Sequence, residues 1–185
     1  SNGGAVSAAT VRRRPINTFF SGPAGGVMST IATGVHTGFQ RLIAFDMGGT
    51  STDVSLVKDG AAGMKHERPM GGLPVRAPSL DIHTIGAGGG SIAWIDDGGM
   101  LKVGPRSAGA YPGPAAYGRG GTLPTVTDAN VTLGRLSPVS LLDGRMAVYP
   151  DNAVKALQSA VCGPMGFEVV QAAVGVLEIA NVHMT

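Results

Sequence analysis

The segment Asp46-Met47-Gly48-Gly49-Thr50-Ser51-Thr52-Asp53 lies between two short apolar runs, residues 42–45 and 54–57. Gly38 precedes the first run and Asp59-Gly60 follows the second, so both are bounded by residues that favour turns. Short apolar runs with such boundaries are typical of strands. The sequence therefore predicts two strands joined by a polar turn at 46–53.

The polar turn contains the groups that a phosphate site needs. Adjacent glycines at positions 48 and 49 allow positive backbone angles, which can direct several N–H groups into one concavity. The three hydroxyl side chains that follow add further donors. The predicted phosphate-binding residues of this turn are Gly48, Gly49, Thr50, Ser51 and Thr52.

The turn begins and ends with an aspartate. The carboxylates of Asp46 and Asp53 only accept hydrogen bonds, and they would repel a bare phosphate. A hydrated Mg²⁺ ion or an oriented water between them would remove that conflict. Asp46 and Asp53 are therefore the candidate catalytic residues. The alternative is a hairpin rich in serine and threonine whose aspartates only cap the turn.

A second glycine cluster, Gly86-Ala87-Gly88-Gly89-Gly90-Ser91, follows further along the chain. It is not a dinucleotide-binding fingerprint, because its sixth position is not glycine and no helical pattern follows. It also lacks the Gly-Lys-Ser/Thr of a P-loop. The cluster indicates a backbone that closely approaches either a ligand or another strand, and the pattern leaves both open.

Asp81 and His83 stand two residues apart in 80–85, which we predict to be a strand, so their side chains would project from one face. An imidazole with one or two carboxylates is a common ligand set for divalent metals, and Asp128 is a candidate third ligand. The competing interpretation makes His83 a hydrogen-bonded core residue and Asp128 the N-cap of a helix.

Composition limits the class of protein. The 185 residues are 43% hydrophobic and 14% charged, so the chain can bury a core, and its 30 glycines and 12 prolines do not fit a helical bundle. A net charge of +2 with 5% aromatic residues makes nucleic acid an unexpected partner. No apolar run is long enough to predict a membrane span.

The chain has a single cysteine, Cys162, which excludes an internal disulfide framework. It is consistent with the cytoplasm, which is the predicted location. No base is placed by a motif to activate this thiol, so we interpret Cys162 as a structural residue and not a nucleophile.

We interpret residues 1–185 as a single domain with three regions. Residues 1–14 form an exposed leading segment, residues 15–123 are rich in strands and glycine loops, and residues 124–185 are helical. Further predicted elements are strands at 16–20, 91–95 and 100–103 and helices at 23–36, 128–136, 151–161 and 167–184.

Six blocks of the chain, taken together and in order, resemble one known family. The blocks are Ser1-Asn2-Gly3-Gly4, 21–26 (SGPAGG), 45–54 (FDMGGTSTDV), 81–93 (DIHTIGAGGGSIA), 104–109 (GPRSAG) and 127–136 (TDANVTLGRL). This is the hydantoinase A and 5-oxoprolinase family of N-methylhydantoinase A-like proteins, within the actin-like ATPase superfamily. The family also includes subunits of ATP-dependent acetone and acetophenone carboxylases.

The resemblance implies an α/β fold, a mixed sheet with flanking helices in a ribonuclease H-like (actin-like ATPase) half-fold. It implies ATP and Mg²⁺, with the turn 46–53 as one phosphate loop. Gly88, Gly89 and Gly90 would form a neighbouring phosphate-binding loop that faces the active cleft. Independently of the resemblance, the candidate ligands Asp81, His83 and Asp128 would hold a second divalent metal, Zn²⁺ or Mn²⁺.

The resemblance also implies an ATP-dependent hydrolase that opens cyclic amides of the hydantoin or 5-oxoproline type after phosphorylation of the amide oxygen. The alternatives are a subunit of an ATP-dependent ketone carboxylase and a non-catalytic scaffold subunit of such a complex. We expect a hydantoinase B-type companion subunit or domain, and an oligomer.

Family members carry another Asp-x-Gly-Gly-Thr-x-Thr-Asp loop near their own N-terminus and a later glycine-rich adenosine segment. This sequence has that pattern only at 46–53, and it lacks the adenosine segment. We therefore expect the sequence to be part of a longer chain, and we expect the 185 residues alone to be inactive.

Overall fold

The computed structural model describes residues 2–70 and 72–184 and divides the chain into two compact units. The first unit comprises Ser1–Asp46 and Asp53–Thr84, and the second comprises Met47–Thr52 and Ile85–Thr185. The short segment Met47–Thr52 therefore belongs to the second unit, whereas the two aspartates beside it in the chain belong to the first.

The first unit begins with helices. α1 (Ala8–Arg13) buries no residue, and a 3₁₀ helix, Pro15–Thr18, follows it. α2 (Ser21–Thr37) begins after Phe20, which has a φ of 60°, and ends at Gly38, which has a φ of 79°. Glycine is favoured at the end of a helix because it adopts this left-handed conformation without strain.

The remainder of the first unit consists of short strands around one sheet. The strands are β1 (Arg41–Met47), β2 (Thr52–Lys58), β3 (Ala61–Ala62), β4 (Met64–Lys65), β5 (Arg68–Met70), β6 (Leu73–Val75), β7 (Ser79–Leu80) and β8 (His83–Ile85). β2 lies at the centre of the sheet and pairs with β1, β3 and β8. Two further pairs form separately, β4 with β7 and β5 with β6.

The core of the first unit lies between helix α2 and the sheet. Ala24 and Val27 of α2 are buried with Val57 of β2, and Leu80 and Ile82 complete the cluster. Residues three apart on a helix share a face, so the sheet-facing side of α2 is fixed by this pair. This packing places the first half of α2 beside the strands that carry Asp46 and Asp53.

The second unit combines an antiparallel hairpin with helices. In the hairpin Leu101 pairs with Ile95 and Val103 with Ala93. Asp96 closes the turn, because its carboxylate accepts hydrogen bonds from the N–H groups of Gly98 and Met100. The elements are β9 (Ser91–Ile95), β10 (Leu101–Ser107), α3 (Val126–Thr132), β11 (Ser140–Leu141), β12 (Met146–Ala147), α4 (Pro150–Leu157), α5 (Gly163–Met165) and α6 (Val169–Val182), with a 3₁₀ helix at Ala115–Tyr117 and a π-helical turn at Gln158–Cys162.

Small side chains build the core of the second unit. Ala172, Ala173 and Val176 of α6 are fully buried with Ala129 of α3, and Val103 of the hairpin packs in the same cluster. Alanine at these positions allows close approach of the helices. The hairpin and α3 are thereby fixed relative to each other inside this unit.

Most predicted elements are confirmed, although their ends differ by several residues. Four predicted strands, at 42–45, 54–57, 91–95 and 100–103, are present as β1, β2, β9 and β10. Four predicted helices are also present. The helices predicted at 23–36, 128–136 and 167–184 correspond to α2, α3 and α6, and the one predicted at 151–161 corresponds to α4 together with the π-helical turn after it. The mixture of helices and strands agrees with the predicted α/β class.

Two predicted strands are wrong. Residues 16–20 are not extended, because Pro15 opens a 3₁₀ helix there and the hydroxyl of Thr18 donates to the carbonyl of Pro15 at 2.7 Å. Residues 80–85 do not form one strand, because the chain leaves the sheet pattern at Asp81 and Ile82 and its two halves, β7 and β8, pair with different strands.

Within the described ranges, no single helix is both long and apolar enough to cross a bilayer. Only Pro150–Met165 and Val169–Val182 taken together reach that length and apolar character, and these two segments are bent by 89° relative to each other.

Candidate functional site

The turn after β1 is held through its carbonyl groups. The carbonyl of Gly48 accepts the N–H of Gly89 at 2.9 Å, and the carbonyl of Gly49 accepts the N–H of Gly90 at 2.6 Å. In a trans peptide the N–H points opposite to the C=O. The N–H groups of Gly49 and Thr50 therefore point away from the second glycine loop.

These two N–H groups remain available to a ligand. Gly49 and Thr50 are exposed, and neither amide has a hydrogen-bond partner within residues 2–70 and 72–184. The hydroxyls of Thr50 and Ser51 likewise have no partner in the described part of the chain. By contrast, the N–H of Gly48 is used inside the turn, because it donates to the carbonyl of Ser51 at 2.8 Å.

The glycines of the turn act differently from our prediction. Neither Gly48 nor Gly49 has a positive φ. A Cβ built on Gly49 would meet nothing within 4 Å, and one on Gly48 would lie 3.4 Å from the carbonyl oxygen of Ser51. Glycine at position 49 therefore leaves open space beside an exposed amide, and it does not serve an unusual backbone angle.

Three further residues predicted to bind phosphate, Gly88, Gly89 and Gly90, have amides that are hydrogen-bonded within the protein. The N–H of Gly88 donates to the hydroxyl of Ser91 at 2.9 Å, and those of Gly89 and Gly90 donate to the turn. The second glycine loop thus packs against the turn, which is one of the two roles that the pattern had left open. The predicted phosphate ligand Thr52 is also bonded, because its fully buried hydroxyl donates to the carbonyl of Ala87 at 2.7 Å.

In the first unit, Asp46 and Asp53 line the same cavity of about 180 Å³ between helix α2 and the strands. Asp53 accepts a hydrogen bond of 2.6 Å from the hydroxyl of Thr84. Asp46 is exposed, and it forms no ion pair with any described residue. Two carboxylates that share a cavity without a basic partner suit a divalent cation and its waters.

Sequence analysis missed the polar residues of α2 at this cavity. Ser29 and Thr30 line it opposite the aspartates, and the hydroxyl of Thr30 is bonded to the carbonyl of Gly26 at 3.0 Å. Their only sequence signal is that they lie three and four residues beyond Gly26 on one helix face. That signal cannot be recognised before the helix is known to pack against β1 and β2.

The predicted metal ligands Asp81, His83 and Asp128 are not assembled into a site. Within the described ranges, no group of three histidine, cysteine, aspartate or glutamate side chains could hold a metal ion. Asp81 forms an ion pair with Lys65 at 2.7 Å, and His83 is exposed on β8. Asp128 is fully buried inside the second unit, where it has a structural role.

The carboxylate of Asp128 joins the start of α3 to the loop before it. Its Oδ1 accepts the N–H of Ala116 at 2.7 Å, and its Oδ2 accepts the N–H of Ala115 at 3.2 Å and both the N–H and the hydroxyl of Thr125, at 2.8 and 2.7 Å. Thr125, and not Asp128, is the N-cap of α3, and the two residues form a capping box. Burial raises the pKa of the Asp128 carboxyl, although the hydrogen bonds from Ala116, Thr125 and Ala115 oppose that shift.

Cys162 agrees with its interpretation as a structural residue. It is half-buried at the end of the π-helical turn, and burial raises the pKa of its thiol. A raised pKa keeps the sulfur protonated near neutral pH, which is the opposite of what a nucleophilic cysteine needs.

Comparison with known proteins identifies the family. A family model described as hydantoinase/oxoprolinase matches residues 1–185. The chain belongs to the hydantoinase/oxoprolinase family. The predicted resemblance is thereby confirmed over the whole sequence.

Two named proteins and one solved structure are similar to this chain. The chain is 42% identical over 184 residues to caprolactamase subunit alpha of Pseudomonas jessenii, covering 100% of this chain and 26% of that protein. It is 50% identical over 125 residues to 5-oxoprolinase of Saccharomyces cerevisiae, covering 66% of this chain and 10% of that protein. The nucleotide-free structure of acetone carboxylase, described for ATP-dependent acetone carboxylation, matches with a TM-score of 0.86 and 31% identity over 98% of this chain and 26% of that one.

The chain thus spans about a quarter or less of the length of these three proteins, at 26%, 10% and 26%. Each of the three names describes a protein much longer than the 185 residues of this chain.

Proposed function

We propose that this chain supplies the phosphate-binding turn and the acidic metal-binding pair of an ATP-dependent enzyme that opens cyclic amides. The main support for the proposal is the orientation of the turn. Its carbonyls at Gly48 and Gly49 accept hydrogen bonds from the second glycine loop, and the N–H groups of Gly49 and Thr50 have no partner among the described residues. The relatives named caprolactamase and 5-oxoprolinase support a lactam as the substrate class.

The donors of the turn match the oxygens of a terminal phosphate. The amides of Gly49 and Thr50, with the hydroxyls of Thr50 and Ser51, offer hydrogen bonds from a backbone that is already fixed. Such donors stabilise charge that develops during phosphoryl transfer without having to reorganise. The absence of a side chain at Gly49 allows an oxygen to reach the backbone closely.

Asp46 and Asp53 fit a hydrated Mg²⁺ ion, because the donor set at their cavity consists of carboxylate and hydroxyl oxygens. When bound with ATP, the ion would neutralise charge on the phosphates. Asp53 is oriented by the hydroxyl of Thr84, and Asp46 is free to bind either the ion or one of its waters. Transfer of the γ-phosphoryl group to the amide oxygen would release ADP and make the ring carbon more electrophilic. Water would add to that carbon, and the ring nitrogen would take up a proton and leave as the amine. Hydrolysis of the resulting acyl phosphate would release the carboxylate and phosphate.

A ketone carboxylase is the second candidate function. The likeness to acetone carboxylase, with a TM-score of 0.86, favours it. The same phosphate turn would serve in both enzymes, so the substrate and not this turn separates them. Bicarbonate that stimulates ATP hydrolysis, with no stimulation by a lactam, would favour the carboxylase.

We further propose that residues 1–185 form one hydantoinase A-type domain with a ribonuclease H-like half-fold. The complete enzyme would be cytoplasmic and oligomeric, and it would have a hydantoinase B-type companion subunit or domain. The family match over the whole chain supports the domain, and the name of the relative, a subunit alpha, supports a companion.

The test uses the complete enzyme that contains this chain. Asp46→Asn and Asp53→Asn should each lower kcat for lactam-dependent ATP hydrolysis on the order of a hundredfold, because a carboxylate that positions the ion contributes mainly in the transition state. Asp59→Asn is the matched control, since Asp59 is an exposed turn residue whose φ of 54° asparagine tolerates. Unchanged kcat in Asp46→Asn and Asp53→Asn would reject the enzymatic role and favour the scaffold alternative.

A further inference from the structure

The second glycine loop packs directly against the phosphate turn, and it does so inside one compact unit. A Cβ built on Gly88 would lie 2.7 Å from the carbonyl oxygen of Gly48 and 2.8 Å from the nitrogen of Ser51. A Cβ on Gly90 would lie 2.7 Å from the carbonyl oxygen of Gly49. Real Cβ atoms do not approach backbone atoms this closely, so any side chain at these positions would displace the turn.

Space, and not backbone conformation, is what requires glycine here. Gly88 and Gly90 do not have positive φ angles. An alanine at either position could therefore adopt the observed backbone angles. Its methyl group would contact the neighbouring turn, and at Gly90 it would also lie 2.9 Å from the hydroxyl oxygen of Ser107.

The second glycine loop is itself fixed from its other sides. The carbonyl of Gly89 accepts the N–H of Thr127 at the start of α3, at 2.8 Å, and the carbonyl of Gly90 accepts the N–H of Ala108 at 2.8 Å. The loop cannot yield easily to a new methyl group, so the displacement would pass to the exposed turn.

We propose that Gly88 and Gly90 are positioning residues that hold the amides of the turn in register with the nucleotide phosphates. This inference rests on the proposed ATP function of the turn. Their role requires no contact with the nucleotide, because their own N–H groups are bonded to Ser91 and to Gly49. A displacement of several tenths of an ångström in the turn misplaces its donors, and misplacement on the order of 1 Å can cost about a hundredfold in rate.

The experiment compares alanine variants of one loop in the complete enzyme. Gly88→Ala and Gly90→Ala should lower kcat/KM for ATP by about tenfold to a hundredfold. Gly86→Ala is the matched control, because a Cβ at Gly86 would meet nothing within 4 Å and Gly86 has no positive φ. The KM for ATP should rise in Gly88→Ala and Gly90→Ala, while the KM for the lactam stays unchanged in all three variants. A general loss of folded protein would lower the apparent kcat and leave both KM values unchanged.

A gentler variant covers the case in which an added methyl group prevents folding. Thr52→Val keeps the approximate shape of the side chain and removes only its hydrogen bond to the second glycine loop. It should raise the KM for ATP and leave the KM for the lactam unchanged. Hydrogen exchange of a peptide spanning Met47–Thr52, measured without nucleotide, should be faster in Thr52→Val and Gly88→Ala than in Gly86→Ala.

The outcomes separate the two proposals. If kcat/KM for ATP and hydrogen exchange in Gly88→Ala and Gly90→Ala equal those of Gly86→Ala, the positioning role is overturned while the ATP function stands. If the unmodified enzyme hydrolyses no ATP and faster exchange in Gly88→Ala still appears, the ATP function and the positioning role that rests on it are both overturned, and the glycines only shape the turn.

Discussion

Replacing Asp128 by asparagine should destabilise the second unit, because one carboxylate there satisfies four donors. An asparagine can place its oxygen at only one of the two carboxylate positions. With the oxygen at the Oδ2 position, it keeps the bonds from Thr125 and Ala115, and its NH₂ group then faces the N–H of Ala116. One buried N–H loses its acceptor, and the remaining bonds lose their charge.

The magnitude follows from these hydrogen bonds. An unsatisfied buried polar group costs about 1–3 kcal/mol, and in the variant both the N–H of Ala116 and the new NH₂ group that faces it lack an acceptor. The free energy of unfolding of the second unit should therefore fall by about 2–4 kcal/mol in Asp128→Asn. Asp143→Asn is the control, since Asp143 is exposed in the same unit and should change the value by less than about 0.5 kcal/mol.

The assay is urea-induced unfolding followed by tryptophan fluorescence. Trp94 is the single tryptophan of the chain, and it lies in the second unit with its indole N–H bonded to the carbonyl of Gly104 at 2.8 Å. Its emission therefore reports on the unit that contains Asp128. A change within about 1 kcal/mol of the Asp143→Asn control would refute the reasoning, because it would mean that the four bonds contribute almost nothing.

Two further predictions concern pH and helix α2. Because burial raises the pKa of Asp128, the stability that its protonated carboxyl contributes is present below the unfolded pKa of about 3.9 and is lost as the pH rises through the folded pKa. The difference in free energy of unfolding between wild type and Asp128→Asn should therefore narrow as the pH rises above about 4. A difference that widens would show that hydrogen bonds and not burial dominate the pKa. In α2, Gly34→Ala should lower the melting temperature of the first unit, because the added Cβ would lie 2.7 Å from the carbonyl oxygen of Phe39. A Cβ at Gly25 would meet nothing within 4 Å, so Gly25→Ala should raise the free energy of unfolding by about 0.5–1 kcal/mol. Circular dichroism melts of both variants check this pair, and equal melting temperatures would contradict it.

The strands beside the turn could be predicted from the sequence because their signal is local. Apolar runs at 42–45 and 54–57, each bounded by glycine, define β1 and β2 without reference to the remainder of the chain. The prediction that the turn binds phosphate rests on a signal that is equally local, since glycines and hydroxyl side chains follow one another directly.

Other features of the site depend on partners that are distant in sequence. Gly88, Gly89 and Gly90 have the composition of a ligand loop, and only the position of Gly48 and Gly49 shows that their amides are used in packing. Asp81 and His83 were placed on one face by assuming a continuous strand, which the separate pairing of β7 and β8 removes. Periodicity describes one segment at a time, so it cannot reveal which neighbour a segment will choose.

The way in which the turn is tethered has an electrostatic consequence. Its carbonyl groups are fixed toward the protein and two of its amides face outward, while residues 46–53 include no lysine or arginine. In the proposed phosphate site, attraction for an anion would therefore come from permanent peptide dipoles instead of a mobile cationic side chain. Backbone dipoles have no ionisable proton and are not displaced by salt ions, so the affinity of such a site for its ligand would depend little on pH or ionic strength. The charge of the ligand would then be neutralised by a metal ion bound with it.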